Sequence, residues 1–86
     1  MVNMKPNKPT LERAGDIDRR LSEQVRLQLR IADISQSAAA RALGHARSTL
    51  GHRLQGRRAL TGSDLVKIAW LTGTSVIDLV PTEYRT

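Results

Sequence analysis

At 86 residues the chain has room for one small domain, near the lower limit of what folds on apolar packing alone. It has no cysteine, which excludes a disulfide framework or a cysteine zinc site; no apolar run nears a membrane span and MVNMKPNKPT cannot serve as a signal peptide, so a cytoplasmic protein is expected. The net charge of +6 is unevenly held, since no acidic residue lies between Asp33 and Asp64 while Arg41, Arg47, Arg53, Arg57 and Arg58 do, a block that fits a polyanion partner or a solvated basic face.

Residues 1–9, with Pro6, Pro9, Lys5 and Lys8, have nothing to bury and read as a flexible N-terminal arm ahead of a single domain over 10–86. Thr10 or Asp16 is a candidate cap for a first helix, in which Ile17, Leu21, Val25, Leu29 and Ala32 recur at helical steps over about four turns. Ser35 stands before QSAAARAL, whose alanines favour helix and let another backbone approach, and Gly44 stops that helix. A third helix is expected from about Arg47 to Leu54, with Leu50 and Leu54 one turn apart on its inner side and Gly56 ending it. Thr61 and Asp64 form a capping-box pattern opening a fourth, with Leu65, Ile68 and Ala69 as its buried stripe and Gly73 as its stop. Ser75 and Asp78 repeat the pattern before a short fifth helix containing Leu79 and Val80 and ended by Pro81. Strand signals are absent, and a compact all-α bundle of five helices follows.

The run ISQSAAARALGHARSTLGHRLQGRRALTGSDLVKIAWLTGTSVIDLVP, residues 34–81, resembles the helix-turn-helix domain of the lambda-type repressor and Cro family, the XRE-type regulators. The likeness is carried by the Ser35-Gln36 opening, Ala40, the turn glycine Gly44, STLGHRLQG, LTGSDLVKIA and the TSVIDLVP ending, in that order. It implies a lambda repressor-like five-helix DNA-binding domain, acting as a dimer on a palindromic operator in double-stranded DNA, with helix three in the major groove. Two departures stand out. His45 and Ala46 occupy positions where the family has an apolar residue and then Ser or Thr, and Thr72 and Thr74 stand where it often has Leu and Val.

A groove about 12 Å wide admits one helix, which needs one face for the bundle and another for base edges. Leu50 and Leu54 supply the first face, and Arg47, Ser48, Gly51, His52 and Gln55 the second. Arg47, Ser48 and His52 are the expected base readers; Ser35, Gln36, Thr49, Arg53, Arg57 and Arg58 are expected against phosphates. Arg41 is either a further backbone contact or solvated. Gly51 either allows close approach to DNA or marks a tolerated weak spot in the helix, where glycine costs about 1 kcal/mol against alanine.

Other chemistries fit poorly. His45 and His52 are seven apart and have no carboxylate near them in sequence, which argues against a metal site; no cofactor motif occurs. Ser48, Thr49 and His52 lack an acid to orient the histidine, so no enzyme is expected. A regulator akin to the phage immunity repressors or Cro, in a bacterial or phage-infected cell, is the preferred reading; an antitoxin-type module that neutralises a toxin and represses its own promoter is the alternative. Trp70, the only tryptophan, is a core residue on one view. On the preferred view it lies with Val66 and Ile77 at a homodimer interface.

Overall fold

The computed structural model describes residues 14–85. The expected arm over residues 1–9, and Thr10 as a cap, lie outside them. Four α-helices follow one another, α1 (Ala14–Ile31), α2 (Gln36–Leu43), α3 (Arg47–Leu54) and α4 (Gly62–Thr72), and two 3₁₀ turns close the chain at Val76–Leu79 and Thr82–Tyr84. No strand occurs among the described residues.

The ends of α2 and α4 have local causes. Ser35 caps α2, its hydroxyl accepting from the Ala38 N–H at 3.1 Å, and Gly44 ends that helix in the left-handed region at φ +78°. Thr61 and Asp64 complete a reciprocal capping box on α4, each side chain accepting from the other's backbone N–H at 3.0 Å. Gly73 ends α4 at φ +72°, again the left-handed region where a Cβ is strained. Thr72 turns its hydroxyl back to the Ile68 carbonyl at 2.8 Å and meets the Thr74 hydroxyl at 3.0 Å, so these two threonines satisfy each other where apolar residues would pack.

The core is built from Val25 and Leu29 of α1, Ala39, Ala40 and Leu43 of α2, Leu50 and Leu54 of α3, Ile68 and Ala69 of α4, and Leu79. The buried pair Ala39 and Ala40 presents little bulk, which lets neighbouring helices close on α2. Leu50 and Leu54 are completely buried, each contributing about 1.5 to 3 kcal/mol. The inner stripe of α4 differs from expectation: Leu65 is only half-buried, and the buried position on the preceding residue is taken by Asp64.

The expected fifth helix is corrected by the structure to a single 3₁₀ turn. Val76 and Ile77 are β-branched and Pro81 follows closely, which leaves too little chain for an α-helical turn. Bonds of the i to i+3 kind form instead, from Asp78 N–H to the Ser75 carbonyl at 3.0 Å and from Val80 N–H to Ile77 at 3.1 Å, and Val80 is already extended. Leu79 nonetheless reaches the core, and Gln24 of α1 fixes the segment by donating to the Asp78 carbonyl at 2.9 Å. Arg20 of α1 then clamps the second 3₁₀ turn through Glu83 at 2.7 Å.

Candidate nucleic-acid interface

α2 and α3 are joined by Gly44, His45 and Ala46. The left-handed Gly44 lets the His45 N–H return to the Ala40 carbonyl at 2.9 Å, which turns the chain sharply into α3. Ala46 has the extended backbone of an N-cap, φ −64° and ψ 148°, but no side chain caps the first turn of α3. Alanine at this position thus leaves the helix start without the hydroxyl usual there.

The other end of α3 is held by α1. Ser22, buried, donates to the Arg53 carbonyl at 2.6 Å, and the Arg26 guanidinium donates to the Leu54 carbonyl. The first adds to the Gly56 N–H at the Arg53 carbonyl, and the second supplies a donor to a carbonyl of the kind that a helix C-terminus leaves free. Gly56 then reverses the chain at φ +78°, where a Cβ would come within 3.0 Å of the Arg19 backbone, so both conformation and space require glycine.

Behind α3 lies a polar cluster that the sequence did not reveal. Asp64, buried, accepts from Arg53 at 2.7 Å through one oxygen and from His45 Nε2 at 2.7 Å through the other. A carboxylate can only accept, so Nε2 carries the proton, and the 3.1 Å approach of Arg53 to the same nitrogen is a contact between donors. Burial by itself pushes the Asp64 carboxyl up. Hydrogen bonds from His45, from the Thr61 N–H and from Arg53, with the arginine charge, outweigh that and hold it at about 2. The carboxylate thus ties together the turn, α3 and the start of α4. Its sequence signal was a histidine at a turn position usually apolar, which needs a polar partner when half-buried. Spacing could not supply that partner, which lies 19 residues away.

On α3 the side chains divide cleanly. Leu50 and Leu54 are buried; Arg47, Ser48, His52 and Gln55 are exposed; Thr49, Gly51 and Arg53 are intermediate. Arg47, Ser48 and His52 therefore share one outward face. Ser35, Gln36, Arg57, Arg58 and Arg41 are also exposed, the first two at the start of α2 and Arg57 and Arg58 just beyond α3. Arg53 differs from the other expected phosphate ligands, because its NH1 is committed to Asp64 and its Nε is buried without a partner.

Trp70 is 85% exposed, which sets aside the core reading. It lines a shallow groove between α2 and α4 with Val66, Ala42, Leu43, Lys67 and Leu71. Ile77 is 54% exposed but does not line this groove.

A short helix, a glycine turn and a second helix with one buried and one donor-bearing face, packed between two further helices, define a helix-turn-helix domain of the DNA-binding class. The chain matches the helix-turn-helix family over residues 26–79, more than half its length, and belongs to it, as an XRE-type member of the repressor and Cro kind. It is a family of DNA-binding regulators. No curated protein and no solved structure matches the chain. No helix among the described residues is long and apolar enough to cross a membrane.

Proposed function

We propose that this protein is a sequence-specific transcriptional repressor of the phage immunity repressor or Cro kind, occupying an operator with α3 in the major groove. The supporting observation is the division of α3, buried along Leu50 and Leu54 and carrying Arg47, Ser48 and His52 outward, within a stretch of chain that has no acidic residue. Arg47 can donate in parallel to guanine O6 and N7, and Ser48 and His52 extend the contact to neighbouring bases. Ser35 and Gln36, at the positive end of the α2 dipole, together with Thr49, Arg57 and Arg58, hold phosphates and fix the register. Arg53 is left out of that set because Asp64 holds it.

A homodimer with Val66, Trp70 and Ile77 near its interface would set two copies of α3 about 34 Å apart, one per half-site of a palindrome. The test is selection from a random-sequence duplex library with the full chain, followed by footprinting on the DNA upstream of its own gene. Enrichment of a short two-fold-related sequence, protected in the footprint, is expected. Binding that enriches no sequence would contradict the reading.

A further inference from the structure

Gly51 sits in the middle of the outward face of α3. Arg47 and Ser48 stand one turn before it, Gln55 one turn after, and His52 beside it. Unlike Gly44, Gly56 and Gly73, it does not have a positive φ, and a Cβ built on it meets no atom within 4 Å. Neither conformation nor packing therefore requires glycine, and glycine weakens a helix interior relative to alanine. What the missing side chain leaves is open space over bare helix backbone, on the face that carries hydrogen-bonding side chains. That backbone offers no free acceptor, because the Gly51 carbonyl is already taken by the Gln55 N–H at 3.0 Å.

Resting on the DNA-binding reading above, we propose that Gly51 is a specificity-determining residue whose bare backbone lets the C5 methyl of a thymine approach α3. Base edges in the major groove are hydrogen-bond donors and acceptors apart from that methyl, which is their one apolar projection. A bare stretch without a free acceptor, on a face that carries donors, matches a thymine set among bases that Arg47 and His52 contact. Alanine at position 51 would fill the volume the methyl needs.

The experiment uses the full chain and Gly51→Ala on the duplex selected by the parent, with each thymine replaced in turn by deoxyuridine. For the parent, one such replacement should weaken binding roughly four- to tenfold. Gly51→Ala should bind the thymine duplex at least that much more weakly and lose the preference at that same position. Its melting temperature should meanwhile rise by about 4 to 8 °C, which separates the effect from misfolding. A variant that binds with the parent's affinity and the parent's preference for thymine over uracil overturns the inference and leaves DNA recognition by α3 standing. A parent that selects no sequence overturns both.

Discussion

Asp64 serves two structures with one carboxylate: it caps α4 through the Thr61 N–H, and it holds Arg53 and His45 behind α3. Removing one partner from a buried ion pair is expensive, because the other charge remains buried. Asp64→Asn should therefore lose about 3 kcal/mol near neutral pH. The folded carboxyl titrates at about 2 against an ordinary 3.8, so its contribution is complete above about pH 4 and disappears as the pH falls toward 2. That difference corresponds to roughly 2 kcal/mol. Urea unfolding of parent and variant between about pH 5 and pH 2.5 should show the gap narrowing with acid; a constant gap would mean that charge on Asp64 does not hold the cluster. The residue was legible as a cap, since Thr61 and Asp64 are neighbours in sequence. It was not legible as an anchor, because the meeting with His45 and Arg53 exists only once α2, α3 and α4 have packed.

α3 is a poor helix in isolation. It has eight residues, no side-chain cap and a glycine within it, and lone helices of that length are marginal in water. It is held by Leu50 and Leu54 in the core, by Ser22 and Arg26 on its last carbonyls, and by Asp64 through Arg53. Ala46 already has cap geometry, so Ala46→Ser should supply the missing acceptor and add about 0.5 to 1 kcal/mol of stability in thermal unfolding. No gain would indicate that the first turn is already satisfied. The bounds of α2, α3 and α4 could be read from Ser35, Gly44, Gly56, Thr61 and Gly73 because caps and stops are local events. The fifth element could not be read in full. Ser75 and Asp78 mark its start, whereas its 3₁₀ geometry depends on Pro81 and on Leu79 reaching the core.

For the molecule as a whole, the stretch from 34 to 63 carries five arginines and no acidic residue of its own, and Trp70 lies in water. Burying Trp70 and Val66 against a second copy would remove an exposed apolar patch and give the pair of reading helices a palindrome requires. Trp70→Ala should weaken dimerisation in sedimentation and lower operator affinity while leaving helical content intact, since the side chain packs little of the fold. Unchanged dimerisation would move the interface elsewhere. The two kinds of proposed DNA contact differ in what they respond to: base readers to sequence, phosphate ligands to salt. In the Arg57→Ala/Arg58→Ala variant, affinity should fall alike on all duplexes, with the salt slope reduced by about 0.9 for each phosphate left unneutralised. The most direct measurement compares the parent with Arg47→Ala and His52→Ala on the selected duplex and on a scrambled one at fixed salt. Each variant should lose about 1 to 3 kcal/mol on the selected duplex and little on the scrambled one; equal loss on both would contradict sequence reading by the outward face of α3.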